Sequence, residues 1–195
     1  MIERGQAILD VLKREGISAQ PEIHGAEVGV WNGELSECLL RELPTLFLRM
    51  VDWWRPTPPQ LAASRLQPGS ASPIELHLHR KARAMDRTEF AAARRIIWHM
   101  SSVRAARQVT PGRLDFAYID AGHTLREVLS DLRAWSRCVR RGGILCGHDI
   151  DHPHDAELGT DEWAVRPAVE RWIRENGIAS GIETGPDTTW FVRMP

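Results

Sequence analysis

The chain has 195 residues, 43% of them apolar and 26% charged, with a formal net charge of −1. One domain spanning 1–195 accommodates that length, and the near-neutral balance excludes field-driven recognition of nucleic acid or of an anionic membrane. Cys38, Cys138 and Cys146 are odd in number, far apart and without CxxC spacing, which excludes a disulfide framework or zinc knuckle and points to a reducing, cytoplasmic setting. No run approaches the ~20 apolar residues of a spanning helix, and Met1–Gln6 leads into no signal-peptide core.

Residues 1–16 predict an amphipathic N-terminal helix, with Ile8, Leu9, Val11 and Leu12 on one side and Gly16 to end it. Ala26–Val30 is a short strand, followed by a glycine-containing turn, a helix over Glu34–Glu42 that Pro44 stops, and a second strand over Thr45–Asp52. Strand, turn, helix and strand in this order make a βαβ unit and favour a parallel sheet. Residues 55–73 hold five prolines and read as an irregular insertion or lid. Ile74–Arg94 is helical and basic, and His77 and His79, two apart, do not share a helix face.

Arg95–Met100 predicts a third strand, Ser102–Gln108 a short helix, Leu114–Asp120 a fourth strand and Thr124–Arg140 a strong helix. Gly142-Gly143 suits a helix C-cap turn, ahead of a fifth strand over Ile144–His148. A last helix over Asp161–Asn176 precedes a hairpin of Gly181–Thr184 and Thr188–Arg193. The expected fold is α/β: a Rossmann-like, doubly wound, mostly parallel sheet with a C-terminal antiparallel hairpin.

Ligands of open α/β sheets bind beyond the carboxyl ends of the strands. Those ends are Glu27–Gly33, Asp52, Met100–Ser102, Asp120–His123 and His148-Asp149, each polar or glycine-containing beyond an apolar strand. In the first turn, Gly29 and Gly33 allow close backbone approach. Glu34 and Glu37 follow and the turn has no lysine or arginine, so a pyrophosphate is disfavoured and a cationic, phosphate-free cofactor fits better. Asp52 stands 19 residues after Gly33, where a carboxylate can hold a ribose diol. Trp31, Trp53 and Trp54 sit at strand ends, where an aromatic can stack on an adenine or an acceptor. Trp98, Trp135 and Trp172 read as packing residues, and His24 and His99 as structural.

The segments Glu27-Val-Gly29-x-x-x-Gly33-x-x-Ser36 with Val51-Asp-Trp53, Leu114–His123 and Gly142–Asp149 together resemble a class I S-adenosylmethionine (SAM)-dependent methyltransferase. Within that class the chain is most similar to the small bacterial group around macrocin O-methyltransferases and cephalosporin hydroxylase-like proteins, over about residues 26–150. The resemblance implies that Glu27, Gly29 and Gly33 form the turn under the methionine part and that Ser36 contacts the cofactor carboxylate. It implies that Asp52 holds the ribose hydroxyls with Trp53 beside the adenine. Ser101 and Ser102 stand where such proteins commonly carry an Asp-Ser pair near the adenine, and Asp120 is counted with the cofactor contacts.

For the reaction, the resemblance implies O-methylation of a hydroxyl on a small molecule or sugar-containing metabolite. Asp120, His148 and Asp149 are the expected ligands of Mg²⁺ or Mn²⁺, and His148, His123 and Asp120 the expected catalytic groups. A neutral hydroxyl is a poor nucleophile, and a divalent ion with a nearby histidine corrects that. Asp151-His152-Pro153-His154-Asp155 extends the cluster and either completes a metal site or forms a polar loop over the pocket; Asp149 and Asp151, two apart in an extended segment, would face the same side, while His152 and His154 read as loop residues. A homodimer is the oligomer that such relatives suggest. A SAM-binding protein without transferase activity is the alternative from another class. A nicotinamide-dependent oxidoreductase is opposed by the glycine spacing and the acidic turn.

Overall fold

The computed structural model describes residues 2–57, 61, 72–151 and 163–195. Among these, seven strands form one sheet: β1 (Ile23–Val28), β2 (Leu46–Asp52), β3 (Arg95–His99), β4 (Leu114–Ile119), β5 (Val139–Gly147), β6 (Glu183–Thr184) and β7 (Trp190–Arg193). Their order is β3-β2-β1-β4-β5-β7-β6. β1 to β5 pair in parallel, and β7 runs antiparallel to both β5 and β6. The mostly parallel, doubly wound sheet with its closing hairpin is therefore as expected. The chain moves outward from β1 through β2 to β3 and then returns to β4 on the other side of β1. That reversal opens a crevice at the carboxyl ends of β1 and β4, where ligands of such sheets bind.

The helices are α1 (Glu3–Arg14), α2 (Glu34–Glu42), α3 (Pro73–Arg87), α4 (Ser102–Ala106), α5 (Leu125–Trp135) and α6 (Val165–Asn176). Alternate strand residues feed two cores, as the period of two requires. On one face Ile8, Leu12, Leu39 and Leu40 pack against Leu48, Met50, Phe116 and Tyr118. On the other, Leu132, Trp135 and Trp172 cover Ala26, Val28, Val51, Ala117 and Ile119. Each large side chain buried this way stabilises the fold by about 1.5–3 kcal/mol. β4 is buried along its whole length, so the residue that ends it is held by both cores.

The larger departures from the sequence reading have local causes. β1 begins at Ile23 and stops at Val28, because Gly29 turns away at φ +95°. Ile74–Arg94 divides into α3 and a 3₁₀ turn over Glu89–Arg94. α5 ends at Trp135, and Gly142-Gly143 is not a C-cap but lies inside β5, where the register against β4 shifts. A Cβ at Gly143 would meet the backbone oxygen of Asp115 at 2.7 Å, so these glycines serve a bulge between close strands. Most of the 55–73 insertion and residues 152–162, with His152, His154 and Asp155, lie outside the described residues. No described helix is long and apolar enough to cross a membrane.

Candidate active site

The crevice is built on the first turn. A Cβ at Gly29 would lie 1.7 Å from the backbone oxygen of Asp120, so only glycine lets this turn pass over the end of β4. Gly33, at φ +81°, starts α2, and a Cβ there would lie 2.7 Å from the Cα of Ala84 in α3. Both positions require a bare backbone with positive φ. The turn is less acidic than its sequence suggests, because Arg87 of α3 reaches Glu37 at 2.7 Å and Glu34 at 3.4 Å.

Beneath the turn, Glu27 is buried and accepts a hydrogen bond from the Ser36 hydroxyl. Burial, which the Ser36 bond only partly offsets, raises the Glu27 pKa to about 8, with Asp120 and Asp52 adding to the rise. Ser36 is itself fully buried, so its hydroxyl is engaged inside the protein by Glu27.

Asp52 ends β2 with both carboxylate oxygens engaged: one accepts from the Trp31 amide at 2.8 Å, the other from the Trp54 amide at 2.6 Å. Those bonds fix its orientation toward the crevice and leave lone pairs for a diol. Trp53 is half exposed, with Arg55 5.2 Å above its ring. Trp31 is half exposed under the guanidinium of Arg80, 3.3 Å from the ring centre. Trp54 is different. It is buried, and its Nε1 donates to the Trp31 carbonyl at 2.8 Å, so it packs the turn and has no free face for a ligand.

A cavity of about 530 Å³ opens beyond β3 and β4, lined by Ser101, Ser102, Ala121, Gly122, Glu127 and Asp131 among others. Ser102 donates to Asp131 at 2.5 Å and accepts from Trp135 Nε1 at 2.9 Å. Asp131 was not singled out in the sequence. It places a buried carboxylate, its pKa raised to about 6 by desolvation, beside the two serines.

At the ends of β4 and β5, Asp120, His123 and Asp149 offer ligand atoms that all lie within 4.8 Å of one another. His123 Nε2 is 2.9 Å from Asp149 and 3.8 Å from Asp120, while His148 Nδ1 is 3.1 Å from Asp149 and 4.0 Å from Asp120. The geometry thus brings all four expected residues together, with His123 rather than His148 in the tightest trio. Burial alone would lower both imidazoles, but Asp120 and Asp149 outweigh it and carry His123 up to about 9, with His148 raised as well. Burial opposes ionisation of Asp149 too, yet the two histidines hold it well below the usual carboxylate range. Two carboxylates and an imidazole suit Mn²⁺ and tolerate Mg²⁺, so the donor set fits the divalent ion expected from the sequence.

Two neighbours escaped the sequence reading. Trp163 stacks on His123 with centroids 4.3 Å apart, and Asp187 from the terminal hairpin lies 3.5 Å from His148 Nε2. Asp151 does the opposite of what its spacing suggested: it pairs with Arg166 of α6 at 2.7 and 2.8 Å. Asp149 has φ +59°, so the segment is not extended and alternation does not hold across it. His24 pairs with Glu22, and His99 with Lys81, both remote from the cluster.

A family model described as a methyltransferase domain matches residues 26–150, from β1 through the end of β5. The chain belongs to the methyltransferase domain family. Family and fold together make it a SAM-dependent methyltransferase. A candidate SAM-dependent methyltransferase from Methanococcus maripaludis is similar at 15% identity and TM-score 0.61, covering 97% of this chain and 84% of that one. A candidate caffeoyl-CoA O-methyltransferase from Staphylococcus aureus is similar at 10% identity and TM-score 0.67, over 99% and 85%. An O-methyltransferase of tomaymycin synthesis from Streptomyces achromogenes, solved with SAM, is similar at 13% identity and TM-score 0.65, over 98% and 80%. At these identities the likeness is one of fold. No curated protein matches.

Proposed function

We propose that this methyltransferase acts on a hydroxyl oxygen of a small molecule or sugar-containing metabolite, assisted by Mg²⁺ or Mn²⁺. We also place it with the small bacterial group around macrocin O-methyltransferases and cephalosporin hydroxylase-like proteins. The observation that carries the reading is the cluster of Asp120, His123, His148 and Asp149 at the crevice beside the glycine turn. O-methyltransferases among the similar structures support it.

When bound, SAM supplies an electrophilic methyl group on a sulfonium. Glu27, Gly29 and Gly33 then shape the seat of its amino-acid end, Asp52 holds the ribose diol, and Trp53, Ser101 and Ser102 border the adenine. A cationic ligand suits a seat that buries Glu27 near Asp120 and Asp52. Asp120, His123 and Asp149 are the residues that would hold a divalent ion, and such an ion would supply Lewis acidity toward an acceptor hydroxyl. His148 is the residue to take the hydroxyl proton, with Asp149 at its Nδ1 to orient the ring and stabilise the imidazolium. Trp163 walls off the far side of His123 and keeps water from that face.

Orienting two reactants contributes roughly 7–11 kcal/mol to such a displacement, and a general base about 10²–10⁴-fold in rate. His148→Ala should therefore lower kcat by about 10²–10⁴-fold while leaving binding of S-adenosylhomocysteine unchanged. The test is an acceptor screen rich in sugars and catechols, read by methyl transfer from labelled SAM. Full turnover of an identified acceptor by Asp120→Ala or His148→Ala would overturn the assignment of the reacting centre.

A further inference from the structure

We propose that Arg4, in the first turn of α1, is the anchor for the carboxylate of the cofactor's amino-acid end. The assignment rests on the cofactor reading above and names a residue for a role that Ser36 is not placed to fill alone. The Ser36 hydroxyl is fully buried and donates to Glu27, so the seat needs another group to meet an anion.

Arg4 is the cation that the fold brings there. Its guanidinium is an electrostatic neighbour of Tyr118, Asp120 and Glu27. Nη1 donates to Asp187 at 3.3 Å. Among the described residues the Nε–Nη2 edge makes no hydrogen bond, and Nε is buried without a partner. That edge has the fork geometry that binds a carboxylate through two parallel N–H bonds. The Tyr118 hydroxyl is likewise buried and unpartnered, and buried polar groups left unpaired in a folded protein call for a partner.

Helix energetics point the same way. A cation in the first turn sits at the positive end of the helix dipole, where it does not stabilise the helix. Arg4 is nonetheless held in place, because the next residue, Gly5, packs so closely on α2 that a Cβ there would lie 2.7 Å from Cys38 Sγ. The charge pattern of the seat matches the ligand too. Glu27, Asp120 and Asp52 face a sulfonium and an ammonium, and Arg4 faces the one anionic group.

The test is calorimetric titration of wild type and of Arg4→Met and Arg4→Lys with S-adenosylhomocysteine and with its decarboxylated analogue. Arg4→Met keeps the apolar stem and removes the charge. We expect wild type to prefer the carboxylate-bearing ligand by about 10–100-fold, the worth of a charged hydrogen-bond pair. Arg4→Met should lose that preference while binding the decarboxylated analogue as wild type does, and Arg4→Lys should keep part of it. Equal affinity of wild type for the two ligands would overturn the assignment without any variant. So would an Arg4→Met protein that retains the preference or that weakens both ligands equally. Wild type that binds neither ligand would instead remove the cofactor reading, and the assignment with it.

Discussion

The Nε2 of His123 lies 2.9 Å from the Asp149 carboxylate, a contact that joins the end of β4 to the end of β5 across the crevice. The pair stores a proton. Because the flanking carboxylates carry His123 to about 9, the imidazole is charged at neutral pH. In the metal-free protein its contribution to stability is complete below about 6.5 and is lost as pH rises through about 9.

A divalent ion at Asp120, His123 and Asp149 must displace that proton, so metal affinity should rise with pH up to about 9. The expected slope is close to tenfold per pH unit for one proton displaced. Titration with Mn²⁺ between pH 6 and 9 reads it directly. Asp149→Ala should abolish binding, and a pH-independent affinity would show that His123 is not a ligand.

Glu27 gives a second pH dependence of stability, of the same sense as that of His123. Its pKa is raised from 4.5 to about 8, so the unfolded chain ionises first and unliganded stability falls as pH climbs through that interval. Glu27→Gln should flatten the melting temperature across the same window and weaken S-adenosylhomocysteine by about tenfold, the loss of one charged partner. Binding by wild type at pH 7 should release protons, visible as a dependence of the binding heat on buffer. A Gln variant with unchanged affinity would take Glu27 out of the cofactor seat.

Gly29→Ala should be the costliest glycine substitution. Gly112 also has positive φ, at +68°, but a Cβ there meets nothing within 4 Å, whereas at Gly29 it would lie 1.7 Å from Asp120. Gly112→Ala should therefore cost only conformational strain, about 1 kcal/mol. Gly29→Ala should cost at least about 2 kcal/mol more, or roughly 4–8 °C in melting temperature for a chain of this size. Equal losses would mean that the turn can move off β4.

Asp131 tests the adenine-side cavity. Desolvation lifts it from 3.8 to about 6, so its burial costs stability above that range and little below the lower value. Asp131→Asn keeps an acceptor for Ser102 and should stabilise the fold by on the order of 1–3 kcal/mol at pH 7 but not at pH 3.5, read as a higher melting temperature at pH 7 alone. A variant that is equally stabilised at both pH values would place the effect elsewhere.

Strand ends were the legible part of this molecule. Glu27, Gly29, Asp52, Asp120 and His148-Asp149 stand out because apolar runs of strand length stop abruptly at polar residues, and a parallel sheet gathers such stops at one edge. Arg4 and Asp187 were invisible for the opposite reason: 183 residues separate them, and neither lies at the end of a parallel strand. Asp131 and Trp163 were missed because one reads as an ordinary helix residue and the other as an ordinary loop residue until the fold sets them against Ser102 and His123. Gly142-Gly143 was misread as a cap, since a bulge and a helix end ask for the same backbone freedom. Asp151 was misassigned because no spacing rule reveals the left-handed φ of Asp149.

Calorimetric titration of the protein with S-adenosylhomocysteine, with NAD as control and each run in Mg²⁺ and in EDTA, tests the central claim most directly. Micromolar binding of S-adenosylhomocysteine, no binding of NAD, and a metal-linked contribution that Asp149→Ala removes are the expected results. Absence of S-adenosylhomocysteine binding in every condition would contradict that claim.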